Sequence, residues 1–206
     1  LAGINLTTGP YRVRRFHMKE YTEEAEKYGI KLFMPCSIIG TADKDIMRVG
    51  RSVLEAIGNP SVIAWYIADD TVNHSTATEL KVRNNAVKAV DPSRLTVHAD
   101  GVSIVTHKIS RLPYMNHADI FMPEIYPVYG NEKDVHCVAQ VYADMETARR
   151  EISSVATGRK GIWAIIQYFK GEKWARYPSP LQLRAMSYAA LVAGAQGLIW
   201  YTYPDL

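Results

Sequence analysis

The sequence predicts an α/β protein whose parallel strands close into a (β/α)8 (TIM) barrel, as one domain over residues 1–206. Apolar runs and helical patterns alternate through about seven strands, with no linker and no change of composition. Such alternation is typical of parallel strands joined by crossover helices. No Gly-rich phosphate-binding turn follows any strand, which disfavours an open nucleotide-binding sheet. Polar and aromatic residues instead follow nearly every strand, as in a barrel with one central site.

The first part of the chain predicts three strands, at residues 2–6, 31–37 and 62–68. The third is an apolar run, typical of a strand that is covered on both faces. Two helices separate these strands, and Gly29 and the Gly58-Asn59-Pro60 turn end them. The apolar face of the first helix consists of Met18, Tyr21, Ala25 and Tyr28. The apolar stripe of the second consists of Ile46, Val49, Val53, Leu54 and Ile57.

The remaining elements continue the alternation of strands and helices. Thr76 and Glu79 form a capping box that begins a helix, and Ser179 with Gln182 forms another, with proline at the first helical position. The other helices are predicted at residues 102–112 and over a long segment. The stripe of that long helix consists of Val138, Val141, Tyr142, Met145, Ala148 and Ile152. The strands are predicted at residues 95–99, 118–122, 162–166 and 198–203, and Pro123 to Pro127 close the second of these.

Charge and composition exclude several classes of partner. The net charge of +3 and the lack of a long basic run disfavour nucleic-acid binding. No apolar stretch approaches the length of a membrane span. The two cysteines, Cys36 and Cys137, are far apart and exclude a disulfide framework. The sequence does not predict an oligomeric state.

Four segments resemble parts of the barrel glycoside hydrolases. WYIADD at residues 65–70 resembles the WYxxDEP-type end of strand 4, and ADIFMPEIYPV at 118–128 is similar to strand 6 of that superfamily. GIWAIIQYF at 161–169 and LRAMSYAALVAGAQGLIWYTY at 183–203 look like its strand 7, helix 7 and strand 8. Their order and spacing fit the superfamily without resolving one family.

The resemblance implies a truncated barrel that lacks the first strand and the last helix, because residues 62–68 then correspond to strand 4. It implies a glycosidase that acts on a carbohydrate or polysaccharide, needs no cofactor, and is secreted or periplasmic. Two alternatives stay open: a non-catalytic or degenerate carbohydrate-binding barrel, and a hexosaminidase in which the Asp69-Asp70 pair uses the N-acetyl group of the substrate as nucleophile.

Two carboxylates are the catalytic candidates. Glycoside hydrolysis needs one protonated carboxyl and one carboxylate on opposite sides of the scissile bond. Asp70 stands where the motif usually has its acid/base Glu, and Glu124 is the candidate nucleophile or base. Adjacent Asp69 would orient a sugar hydroxyl. Gln167 stands at the usual position of the nucleophile in strand 7 and cannot serve as one.

Further side chains follow the predicted strands and are candidates for binding a sugar. Aromatic rings stack on the C–H faces of pyranose rings, and polar groups bind the hydroxyls. These candidates are Asn5, His98, Asp100, Tyr126, Gln167, Trp200, Tyr201 and Tyr203, with Tyr168 and Trp174 as further aromatic candidates. For Gln167, satisfaction of buried polar groups is the alternative to sugar binding. No metal is expected, because His98 and Asp100 lack the clustered ligands that a metal site needs.

Overall fold

The structure is a computed structural model that describes residues 5–8, 18–36, 46–101, 111–130, 134–171 and 173–202. Within these ranges the chain forms seven strands and six α-helices. The strands are β1 (Leu6–Thr8), β2 (Lys31–Pro35), β3 (Val62–Ala68), β4 (Leu95–Gly101), β5 (Ile120–Ile125), β6 (Gly161–Gln167) and β7 (Gly197–Tyr201). The helices are α1 (Met18–Lys27), α2 (Ile46–Ala56), α3 (Thr71–His74), α4 (Ala77–Val90), α5 (Asp134–Val155) and α6 (Pro180–Val192).

The strands form one sheet in chain order, from β1 to β7. The strand pairs with recorded registers are parallel, and helices separate the strands along the chain. This arrangement confirms the predicted α/β class. The described strands fit a (β/α)8 barrel that is one strand short of eight.

The chain divides into two compact units, one of residues 1–98 with 117–119 and the other of residues 99–116 with 120–206. In the first unit, β3 occupies the predicted residues 62–68, and all but one of its side chains are buried. Trp65 is fully buried, and its indole Nε1 donates to Asp91 Oδ2 at 2.9 Å. Burial alone would raise the pKa of Asp91, but hydrogen bonds from Ser93, Trp65 and Arg94 hold it well below its usual range.

Both predicted capping boxes are present. The Thr76 hydroxyl accepts from Glu79 N at 3.2 Å, and the Glu79 carboxylate accepts from Thr76 N at 2.7 Å. The Ser179 hydroxyl and the Gln182 side chain make the same reciprocal pair at the start of α6. Gly29 ends α1 with φ 67°, a left-handed conformation that glycine adopts without strain.

The core of the second unit lies on one face of β5, β6 and β7. Phe121 and Ile125 of β5, with Ala164 and Ile166 of β6, pack in one cluster with residues of α5 and α6. Leu198 of β7 packs against this cluster. Since side chains alternate along a strand, the residues between these face the other side of the sheet. That second face is where the site candidates have to be sought.

Several predicted details differ from the structure. Leu54 is 61% exposed and Tyr142 is 46% exposed, although both were placed on apolar stripes. The β5 strand continues through Pro123 and Glu124 to Ile125, so Pro123 does not close it. The first strand is Leu6–Thr8 rather than residues 2–6, of which only 5 and 6 are described. The helix predicted at 102–112 lies almost entirely outside the described residues. No described helix combines the length and the apolarity that crossing a bilayer requires.

Candidate functional site

The end of β3 carries the two adjacent carboxylates of the first unit. Asp69 and Asp70 directly follow the strand, and both side chains are partly exposed. The Tyr66 hydroxyl, on a side chain that is almost fully buried, donates to Asp69 Oδ1 at 2.6 Å. A short hydrogen bond to a carboxylate is among the stronger ones. Tyr66 therefore fixes one oxygen of Asp69.

Asp70 has an unusual backbone. Its φ of 41° and ψ of 49° put it in the left-handed region, at the residue that precedes α3. Its side chain makes no capping hydrogen bond to that helix, so a simple cap does not explain the residue. Asp70 Oδ2 lies 3.9 Å from His74 Nε2. Non-glycine residues in this region are uncommon and concentrate at functional sites.

Three other residues that the sequence predicts to bind a sugar lie in β4 or directly before β1. His98 is 1% exposed, and its Nδ1 lies 3.2 Å from the Thr71 hydroxyl oxygen. Asp100 is also 1% exposed, and its Oδ1 accepts from Gly101 N at 2.9 Å. Asn5 is exposed, directly before β1, and its carbonyl oxygen accepts from Lys31 N. The β3–β4 register is irregular between Tyr66 and Ala68, next to the paired aspartates.

In the second unit, Glu124, Gln167 and Tyr201 belong to the sheet face opposite the helix-packed core. Glu124 alternates with the buried Ile125, and its backbone is opposite Ile165 of β6. Gln167 is opposite Tyr201 in the β6–β7 register. The Glu124 side chain is partly exposed, whereas Gln167 has no exposed surface. The face therefore carries an accessible carboxylate near the carboxyl ends of its strands.

Gln167 is held by the main chain. Its Oε1 accepts from Val128 N at 2.8 Å, and its Nε2 donates to Val128 O at 3.0 Å and to Phe169 O at 3.3 Å. These bonds tie the segment after β5 to the end of β6. Between the two expected roles for Gln167, sugar binding and satisfaction of buried groups, the geometry favours the second.

Aromatic rings gather at the ends of β5, β6 and β7. Tyr126 stacks on Tyr201 with ring centroids 6.1 Å apart, and Phe169 contacts them edge-on at 5.0 and 5.7 Å. Trp174 lies 4.9 Å from Phe169 and 5.7 Å from Tyr126, also edge-on. Tyr129 stacks on Trp174 at 5.9 Å. We call Tyr126, Tyr129, Phe169, Trp174 and Tyr201 the aromatic cluster.

The cluster contains part of the predicted aromatic set. Tyr126, Trp174 and Tyr201 are the members of that set that meet in it. Phe169 and Tyr129 were missed, and the only sequence signal for them is the density of aromatic residues just after two strands. Trp200 is on the helix-packed side of β7, where its Nε1 donates to Ser187 Oγ of α6 at 3.0 Å. It is 42% exposed, but it is not part of the cluster. Tyr203 lies outside the described residues.

Among the described side chains, no group of three or more His, Cys, Asp or Glu residues is placed to hold a metal ion. The local chemistry consists of partly exposed carboxylates in each unit and, in the second unit, aromatic rings at the ends of the strands that carry Glu124, Gln167 and Tyr201. Carboxylates can donate or accept a proton or attack as nucleophiles. The rings offer apolar faces beside them.

Comparisons with known proteins identify the fold. No protein-family profile matches the chain, and no curated protein matches it. Solved structures do match, among them a glycoside hydrolase family 17 beta-1,3-glucanosyltransferase from Rhizomucor miehei, with TM-score 0.69 and 10% identity over 96% of this chain and 75% of that one. An FMN-binding beta-glucuronidase from Facaelibacterium prausnitzii L2-6 matches with TM-score 0.67 and 14% identity over 96% of this chain. A putative alpha-L-fucosidase from Bacteroides thetaiotaomicron gives TM-score 0.64 and 14% identity over 89% of this chain and 63% of that one.

The chain spans about a third of the length of the beta-glucuronidases, 32% and 38% of two of them. At 10% to 14% identity these likenesses concern the fold. The fold of the chain is that of the barrel in glycoside hydrolases, as its segments predicted. Its family is not resolved by these matches.

Proposed function

We propose that the chain is the barrel of a glycoside hydrolase. The observation that carries this proposal is the partly exposed carboxylate of Glu124, on the same sheet face as Tyr201 and two residues before Tyr126 of the aromatic cluster. A carboxylate next to stacked rings suits a pyranose, whose C–H face packs on a ring while its anomeric carbon meets the acid. The three solved structures named above are a beta-1,3-glucanosyltransferase, a beta-glucuronidase and a protein described as an alpha-L-fucosidase, which adds support.

Each carboxylate has a proposed role. Asp70 is the general acid, by its position in the WYIADD motif, and its left-handed backbone is the kind of strain that functional sites retain. Glu124 is the nucleophile or the base that activates water. Asp69, held on one oxygen by Tyr66, orients a sugar hydroxyl with the other.

Hydrolysis of a panel of aryl glycosides and polysaccharides tests this proposal. Asp70→Asn and Glu124→Gln should each lower kcat by about 10²- to 10⁴-fold, the usual contribution of a positioned acid or base. Both changes preserve side-chain size, and asparagine tolerates the left-handed backbone at position 70. Glu23→Gln and Glu55→Gln are matched controls, because each replaces one exposed carboxylate of α1 or α2 by an amide, and they should leave kcat unchanged. Unchanged hydrolysis in the two site variants refutes the proposed roles.

A carbohydrate-binding barrel without catalysis is the second candidate, and Gln167 is the observation that favours it. The usual strand-7 nucleophile is absent, and the amide that replaces it is bonded to the main chain of Val128 and Phe169. Sugar binding by the wild-type chain without turnover of any glycoside supports this candidate. Turnover that is lost in Glu124→Gln refutes it.

A substrate-assisted hexosaminidase would need no protein nucleophile. It predicts turnover of N-acetylhexosaminides in preference to the matching hexosides, and loss of activity in both Asp69→Asn and Asp70→Asn. In that mechanism one aspartate holds the N-acetyl group and the other is the general acid, and the hydrogen bond from the Tyr66 hydroxyl to Asp69 Oδ1 suits Asp69 to the holding role. Equal rates on acetylated and non-acetylated sugars exclude it.

A further inference from the structure

Two lysines in the loop after β6 lie over aromatic rings. Lys173 Nζ is 4.6 Å from the ring centroid of Trp174 and 5.8 Å from that of Tyr129, both members of the aromatic cluster. Lys170 Nζ is 5.6 Å from the ring of Tyr177. An ammonium at such a distance is attracted by the face of the ring. These contacts place positive charge at the edge of the proposed carbohydrate site.

Hydrogen bonds between described residues hold the loop in place. Gly171 and Trp174 exchange main-chain hydrogen bonds at 2.7 and 2.8 Å. Trp174 Nε1 donates to Tyr126 O at 3.0 Å, and Ala175 N donates to Tyr129 O at 2.7 Å. Arg176 donates to the carbonyl oxygen of Gly130 and to Gln182 Oε1, so its guanidinium serves the loop itself. Lys170 and Lys173, the other described cations of this loop, are exposed and lie over rings.

Neither lysine is neutralised within the part of the chain that the structure describes. Lys170 and Lys173 are both exposed, and no ion pair joins either to a described carboxylate. Other exposed lysines differ in this respect, since Lys19 pairs with Glu23 and Lys27 pairs with Glu24. With respect to the described carboxylates, both ammonium groups are therefore available to an anionic ligand.

We infer that this site takes an anionic carbohydrate, in which a uronate carboxylate or a sulfate ester meets Lys170 and Lys173 while a sugar ring packs on the aromatic cluster. The inference rests on the proposed carbohydrate function and specifies its substrate class. Single-stranded nucleic acid also combines stacking with positive charge. The net charge of only +3 and the Glu124 carboxylate on the adjacent sheet face disfavour a polyphosphate backbone.

Calorimetric titration with matched ligands tests the inference. Oligogalacturonate and its methyl ester share one backbone and differ in charge, and heparin oligosaccharide supplies sulfate esters on another backbone. At least one of the two acidic glycans should bind about tenfold more tightly than the methyl ester, and added salt should weaken that binding. Which acidic glycan binds distinguishes the carboxylate from the sulfate ester.

Lys170→Ala combined with Lys173→Ala should weaken binding of the acidic glycan by about five- to tenfold, because exposed ion pairs contribute little individually. The control pairs Lys27→Ala with Lys81→Ala, which changes net charge equally and includes a lysine 5.0 Å from the ring of Tyr28. That control should leave binding unchanged.

Equal loss in both double variants means that only net charge matters, and it overturns the inference. Failure of both acidic glycans to bind more tightly than the methyl ester also overturns it, as does tighter binding of a single-stranded oligonucleotide. Binding that depends on the two lysines without any hydrolysis leaves the inference standing and removes the catalytic proposal. Lysine-independent hydrolysis of neutral glycosides does the reverse.

Discussion

Gln167→Glu would restore a carboxyl at the usual place of a strand-7 nucleophile, and we expect it to destabilise the fold in a pH-dependent way. The wild-type amide is fully buried, accepts from Val128 N, and donates to the carbonyl oxygens of Val128 and Phe169. An ionised carboxylate has no proton to donate. It would therefore face two carbonyl oxygens whose donors are gone.

The size of the effect follows from these contacts. Near pH 4 the new carboxyl is protonated, one O–H replaces one of two donors, and the loss of stability is about 1 kcal/mol. Burial raises the pKa of the new carboxyl in the folded state, so the unfolded chain ionises first as the pH rises. The loss then grows by about 1.4 kcal/mol per pH unit. Near pH 7 it should reach about 5 kcal/mol.

Urea unfolding of the wild type and the variant at several pH values measures this loss. Gln167→Met is the comparator, because it removes the same three hydrogen bonds without adding a titratable group. Its loss, about 2–4 kcal/mol for buried groups left unsatisfied, should not vary with pH. If Gln167→Glu costs the same at about pH 4 and pH 7, the carboxyl does not occupy the buried amide position and the reasoning fails.

Three further changes test the packing of the fold. Asp91→Asn should lower the free energy of unfolding by about 2 kcal/mol at neutral pH and by progressively less on acidification. The reason is that the stability from a carboxyl with a lowered pKa is lost as the pH falls through that pKa. A difference in urea midpoints that stays constant with pH would contradict this. Ser179→Ala should cost about 1 kcal/mol through loss of the cap of α6, with Ser93→Ala unsuitable as a control because it bonds Asp91. Gly197→Ala would bring its Cβ to 2.8 Å from the Trp163 ring, which should lower the free energy of unfolding by about 1–3 kcal/mol in the same assay, and a neutral result would show that the indole can move.

Local signals in the sequence were sufficient for much of the fold. The β3 strand was predicted to the residue because its run is apolar on both faces and two acids end it abruptly. The two capping boxes depend on side chains three residues apart, so the sequence alone specifies them. The meeting of Tyr126 with Tyr201 could be anticipated for the same reason, since both residues were chosen from strand ends, which are local features.

The errors come from positions where contacts with neighbouring elements determine the burial of a side chain or the extent of a strand. Leu54 and Tyr142 each follow a fully buried valine, and one step along a helix turns a side chain by about 100°, out of the contact. The extent of β5 past Pro123 depends on pairing with β6, and the paired residues resume at Glu124. Phe169 joins the aromatic cluster only through loops that approach each other after folding.

The backbone at Asp70 changes how mutagenesis at this position has to be interpreted. Only glycine, asparagine and aspartate adopt φ near 41° readily, so alanine or glutamate here would alter the path of the chain as well as the acid. An alanine scan would thus report a conformational defect as a catalytic one. Lengthening the side chain to the Glu of the common motif would fail for the same reason. The residue type at position 70 and its left-handed backbone depend on each other. A variant library at this position should therefore be restricted to residues that adopt this backbone conformation.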